Sequence, residues 1–228
     1  MVTIAATTSY KIDATEVTQG QYKQWVATKP ALPQSTDPFC GWKSDAANGQ
    51  TYDIKGSVYD GADADHHPVY QVDWCDAVAY CKGVGKRLCG KIGGGSYDFA
   101  KFADASQSQW YNACSANGVN KFPYGNTYDA TSCNGAQNGK NATVVVGSMS
   151  KCQSSTAGFE GVFDLSGNIR EWEDACTPGT EANGIDAYCR VRGGDIVSGT
   201  NDLPCDFEDG TMRPSYGYNS VGFRCCSE

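Results

Sequence analysis

Three stretches of the chain set apolar residues at helical spacing among polar ones. In "TQGQYKQWVATK", residues 18–29, Tyr22, Trp25 and Val26 fall three or four apart on one face, and Thr18 stands where an N-cap belongs. In "DWCDAVAYCKGVGKRL", residues 73–88, Trp74, Ala77, Val78 and Cys81, with Val84 following, make a second apolar face that Gly83 and Gly85 should end. "ADASQSQWYNACSANG", residues 103–118, places Trp110 and Cys114 four apart, with Gly118 as the stop. Short strands are expected in "RVRGGDI" around Val191 and in the terminal "VGFRCC". Between them run long polar stretches such as 44–66 and 93–105. So much irregular backbone needs disulfides or bound ions to hold it. An α+β fold with sparse regular secondary structure follows.

Composition changes this picture in two ways. With 228 residues, 40% hydrophobic and 11% aromatic, the chain has enough apolar surface for one sizeable core, and neither a linker nor an internal repeat divides it. One domain over residues 1–228 is expected. The formal charge of −8 comes without a basic cluster. Lys82, Lys86, Arg87 and Lys91 are the nearest approach, at a helix end where cations suit the macrodipole. A nucleic-acid partner is therefore excluded. No segment reaches the ~20 apolar residues of a membrane span.

Twelve cysteines, an even number without a CxxC, argue against zinc knuckles and thioredoxin chemistry. Reducing compartments rarely keep so many, so a disulfide-rich protein placed extracellularly, on a cell surface or in a periplasm is expected. The opening "MVTIAATTSYKI" lacks the form of a signal peptide, and an exported chain is expected to have lost its leader.

Seven segments occur in one order: "IDATEVTQGQYKQWV", "HPVYQVDWCDAVAYCKGVGKRL", "SQSQWYNAC", "FPYGN", "GVFDLSGNIREWEDAC", "RVRGGD" and "VGFRCC". Together they resemble the formylglycine-generating enzyme (sulfatase-modifying factor) family, over residues 12 to 226. The resemblance implies that family's variant of the C-type lectin fold. One departure is visible: Arg87-Leu88 is followed by Cys89 and an insert, "GKIGGGSYDFAKFADA", before Trp110.

The resemblance also implies a structural calcium ion in "FDLSGNIREW". Its ligands would be the side chains of Asp164 and Glu171 and the carbonyls of Gly167 and Ile169, an oxygen set suited to a hard cation. The alternative reading of the residues is that Glu171 pairs with a lysine or arginine while Asp164 caps a turn. A second family calcium site would start near Asn134-Gly135, but its later aspartate has no counterpart. "YDGADADHHP", with Asp60, Asp63 and Asp65, lacks the spacing of a calcium loop and reads as a solvated acidic turn.

Catalytic members of the family bind copper with two cysteines separated by four residues, ahead of an arginine, and oxidise a substrate cysteine. Two thiolates suit a soft metal. Here Cys205 matches the first position and Arg213 the arginine, but Gly210 stands in place of the second cysteine. Asp206, Glu208 and Asp209 surround that place with hard oxygens. The resemblance pairs Cys81 with Cys225. Adjacent strand residues face opposite ways, so Cys226 needs another partner, Cys89 or Cys75. Proximity in sequence suggests Cys114–Cys133 and Cys176–Cys189.

His66 and His67, the only histidines, have no nucleophile-elbow motif near them and are read as loop residues. Two histidines also cannot make a three-histidine iron site. "GVGKRL" lacks Walker spacing, and Asn141-Ala142-Thr143 is a glycosylation sequon. The expected function is a non-catalytic, calcium-containing recognition module for a glycan, peptide or protein ligand. Its binding face would lie around Cys205–Tyr218, with Arg213, Tyr216 and Tyr218 as the main contacts. The alternatives are a copper-dependent oxidase using Cys205 and a structural subunit of an extracellular assembly.

Overall fold

The computed structural model describes residues 1–6 and 8–228. Helix α1 spans Gln19–Val26, and Thr18 closes a capping box with Gln21 at its start. Tyr22 and Trp25 turn inward from it. Helix α2, Trp74–Gly83, opens on a second box made by Asp73 and Asp76. Val84 falls outside the last turn and is exposed, so the apolar face ends earlier than expected. Helix α3 is only Gln109–Cys114. Ser108 caps it through the Tyr111 amide, leaving residues 103–107 outside, and Ala116, Asn117 and Gly118 all take left-handed backbone that ends it.

Among the described residues, eight short strands form two four-stranded sheets. The first has the order β1 (Val2–Ile4), β2 (Tyr10–Ile12), β8 (Cys225–Ser227), β3 (Arg87–Leu88). The second runs β6 (Glu208–Met212), β5 (Cys189–Arg192), β4 (Arg170–Cys176), β7 (Val221–Phe223). All pairings are antiparallel except β4 with β7. One core packs Tyr22, Trp25, Trp74 and Tyr80 of the first two helices against Trp172 and Phe223. The other packs Ile4, Tyr10 and Ile12 against Trp110 and Leu165.

"VGFRCC" is two strands rather than one. Arg224 separates β7 from β8 and turns fully inward, where its guanidinium donates to Glu171 on β4 and to the carbonyls of Asp13 and Phe163. The two sheets therefore meet at a buried charge.

Six disulfides staple these parts: Cys40–Cys75, Cys81–Cys225, Cys89–Cys226, Cys114–Cys205, Cys133–Cys152 and Cys176–Cys189. Cys225 and Cys226 do take different partners, on α2 and just after β3. The expected Cys114–Cys133 bond is corrected. Cys114 at the end of α3 reaches across 91 residues to Cys205, and Cys133 closes a local loop with Cys152. Cys176–Cys189 joins directly opposed residues of β4 and β5.

Candidate functional site

Cys205, the one cysteine placed for copper chemistry, is bonded to Cys114, and both are fully buried. Its carbonyl accepts from Arg192 Nη2 at 2.7 Å and its amide donates to Lys121 O. Gly210 lies on β6, and a Cβ there would sit 2.7 Å from Phe99 Cζ, so any side chain at this position would have to displace that ring. Phe99 comes from the insert after β3. With Phe102 it flanks the Arg190 guanidinium, at 4.1 and 4.8 Å from the ring centres, while Arg190 also pairs with Glu208. The insert thus places the Phe99 ring against the position of the second thiol. No free thiol and no soft-metal pair remains among the described residues.

The same strands open a cleft nearby. Pairing of β5 with β6 sets Cys189 opposite Met212, which brings Tyr188 beside Thr211 and Arg213. The turn toward β7 adds Tyr216 and Tyr218, and these five residues line an open cavity of about 440 Å³. Tyr218 leans on buried Trp172 (ring centres 6.0 Å apart), and its Oη accepts from the Arg213 amide at 2.9 Å. Burial raises the Tyr218 phenol above its ordinary pKa, so it stays protonated at neutral pH. Tyr216 is 61% exposed. The Arg213 guanidinium lies 5.7 Å from the Tyr188 ring centre. Arg170, Arg190 and Arg192 pair with Asp195 and Asp209, with Glu208 and with Glu173, whereas Arg213 has no carboxylate partner among the described residues.

The structure therefore brings Arg213, Tyr216 and Tyr218 together, as the sequence suggested, and adds Tyr188 and Thr211. Tyr188 lies 25 positions before Arg213. Only the register of β5 against β6, across the long connection 193–207, joins them, and no residue pattern announces that register.

The loop Asp164–Asn168 is tightly wound, with positive φ at Asp164, Gly167 and Asn168. Gly167 is required there, because a Cβ would meet Asn134 O at 2.5 Å. Glu171 is fully buried and already satisfied. Its Oε1 accepts from Arg224 Nη2 and its Oε2 from Arg224 Nε, both at 2.7 Å, and Oε2 also accepts from Trp110 Nε1 at 2.9 Å. Glu171 thus pairs with an arginine instead of standing open to a cation.

Asp164 differs. Its Oδ2 accepts from the Gly147 amide, but its Oδ1 has no partner. Glu16 Oε2 and Asn134 Oδ1 are likewise buried without a donor, and Asn168 links the two residues by bonding Glu16 Oε1 and sharing a contact with Asn134 Nδ2. Burial lifts Asp164 to a pKa of about 6, and burial plus the Asp164 charge hold Glu16 well above its usual range. Three buried carboxylates here face one arginine. The residues fit a hard cation at Asp164 and not at Glu171, and among the described residues no three acidic, cysteine or histidine side chains converge on one point.

The remaining candidates are structural. His67 stacks on Tyr59 and its Nδ1 is 2.9 Å from Thr143 Oγ1. Asp65 pairs with Lys23 at the surface. Lys43, a site the sequence did not single out, is fully buried against Asp73 and Asp76 and holds the start of α2.

The sulfatase-modifying factor enzyme 1-like domain matches residues 2–228. Comparison with curated proteins gives no match. Among solved structures, CarF is 19% identical, covers 96% of this chain and 86% of its own, and superposes with a TM-score of 0.62. PvdO from Pseudomonas aeruginosa is 23% identical over 100% of this chain and 82% of its own, with a TM-score of 0.63. Treponema denticola variable protein 1 is 20% identical over 96% and 84%, with a TM-score of 0.57. These likenesses concern the fold. The chain belongs to the sulfatase-modifying factor family.

Proposed function

We propose that this protein is an exported, non-catalytic recognition module that binds its ligand in the Tyr188/Thr211/Arg213/Tyr216/Tyr218 cleft. One contrast carries the reading: the position of the family's thiol chemistry is sealed by a disulfide and by Phe99, while the adjoining surface offers aromatic faces and an unpaired arginine. Aromatic and arginine side chains dominate interface energies. Six disulfides support export, since reducing compartments do not keep them. The test is binding to glycan and peptide arrays by wild type and by Tyr216→Ala. Truncating Tyr216 should weaken the captured ligand at least tenfold and leave the melting temperature within a degree or so, because the ring is exposed. Equal binding by both proteins would remove the cleft from consideration.

The protein also takes a structural calcium ion on the Asp164 loop in this reading. The Asp164 carboxylate and the Gly167 and Ile169 carbonyls would hold it, and its charge would offset the excess of buried carboxylate. The support is the unpartnered Oδ1 of Asp164 beside the unpartnered Oε2 of Glu16. Chelation should lower the melting temperature of wild type by several degrees and leave that of Asp164→Asn unmoved. An unchanged wild-type melt would reject the ion.

The pH dependence has a defined sign. Both pKa values are raised in the folded protein, so metal-free stability is greatest below about pH 4 for these groups and declines as pH rises through about 6. Saturating calcium should flatten that decline in denaturant titrations. A decline of equal size with and without calcium would count against the ion.

A further inference from the structure

The cleft also constrains the kind of ligand it takes. Resting on the recognition reading above, we propose that its ligand is a glycan presenting a carboxylate-bearing sugar, a uronic or sialic acid residue, with the acid group against Arg213.

Arg213 is the starting point. It is exposed, 5.7 Å from the Tyr188 ring centre, and without a carboxylate partner among the described residues. A guanidinium in this state presents a planar fork that matches a carboxylate through two parallel N–H bonds. The surrounding protein carries a net charge of −8. That field repels a polyanion, so a single localised carboxylate is favoured over a chain of sulfates or phosphates.

The rest of the cleft suits a sugar ring. Tyr216 and Tyr218 have ring centres 6.0 Å apart with planes inclined by 33°, so they splay and do not close a slot for a flat aromatic group. The volume of about 440 Å³ lies low in the ~300–1,000 Å³ range of small-ligand sites. Thr211 donates its hydroxyl to Asp209 Oδ1, which leaves the Thr211 oxygen as an acceptor for a ligand hydroxyl.

A peptide that adds as a strand is disfavoured. β6 is the edge of its sheet, but the Thr211 amide is held by Asp209 Oδ1 and the Arg213 amide by Tyr218 Oη, both at 2.9 Å. Two of the donors that strand addition would use at this end of the edge are therefore already taken.

The experiment uses the folded wild-type protein, Arg213→Gln and Tyr216→Ala, each checked by its melting curve. The probes are oligosaccharides ending in glucuronic acid or sialic acid, the same compounds with the carboxyl reduced to an alcohol, and peptides of matched charge. Wild type should bind at least one acidic sugar about tenfold or more tighter than its reduced form. Arg213→Gln should erase that difference while keeping the residual affinity for the reduced probe, and Tyr216→Ala should lose both. Equal wild-type affinity for acid and reduced probes would overturn the acidic-sugar assignment and leave the cleft intact. Preference for the acidic peptides would overturn it likewise, as would binding of no glycan. Indifference of every bound probe to Tyr216→Ala would instead overturn the cleft itself.

Discussion

Glu171→Gln should cost about 3–5 kcal/mol of stability, or a fall in melting temperature of roughly 6–20 °C for a chain of this size. The reason lies at the junction of the two sheets. Glu171 receives two hydrogen bonds from Arg224 and one from Trp110, all in a site closed to water. Removing its charge takes from Arg224 its one hydrogen-bonded carboxylate and leaves only the charges of Glu16 and Asp164 near it, neither of them bonded to it, while Arg224 also anchors Asp13 and Phe163 through their carbonyls. Pairing the change with Arg224→Met should not recover the loss, because it strips the buried Glu16 and Asp164 carboxyls of their one nearby cation. The loss should be the same with calcium or with chelator present. A melting curve of Glu171→Gln superimposable on wild type would show that the carboxylate does not hold this junction.

The second large effect concerns the Cys114–Cys205 disulfide. Replacing both Cys114 and Cys205 by alanine removes a cross-link spanning 91 residues. Chain entropy puts its contribution at roughly 4 kcal/mol, and the variant should unfold at correspondingly lower denaturant concentration. Cys114→Ala alone frees the Cys205 thiol, yet should confer no copper-dependent cysteine oxidation. Gly210 supplies no second sulfur, and Phe99 occupies the space beside it. Oxygen uptake above the blank by Cys114→Ala, with copper and a cysteine peptide, would show that the lesion is the disulfide and not the missing ligand.

Local chemistry was the legible part of this sequence. Thr18 marks the first helix start through a side chain that bonds the nearest orphan amide, and that mark holds; Asp73 with Asp76 does the same for α2 and went unread in the sequence. The third helix was overestimated, because its apolar period continues where Ser108 and the left-handed turn at Ala116–Gly118 set tighter limits. What sequence could not supply was long-range partner choice. Cys114 lies 19 positions from Cys133 but bonds Cys205, since Cys114 and Cys205 are buried in the same core cluster and Cys133 is not part of it. Glu171 was legible as a buried carboxylate, though not which of two possible cations would meet it. Arg224, 53 positions on, decides that from between two strands. Arg213, Tyr216 and Tyr218 could be picked out because they sit close together in sequence. Tyr188 reaches them only through the β5–β6 register.

The account depends on a thiol centre that is closed and a neighbouring cleft that is open. Its most direct test is a peptide map of the unreduced protein after alkylation under denaturant, followed by Cu(I) titration of the native form. The expected result is no alkylated cysteine among the twelve, a cross-linked peptide pair containing Cys114 and Cys205, and no stoichiometric copper uptake. An alkylated Cys205 in a protein that binds Cu(I) and consumes oxygen over a cysteine substrate would contradict it.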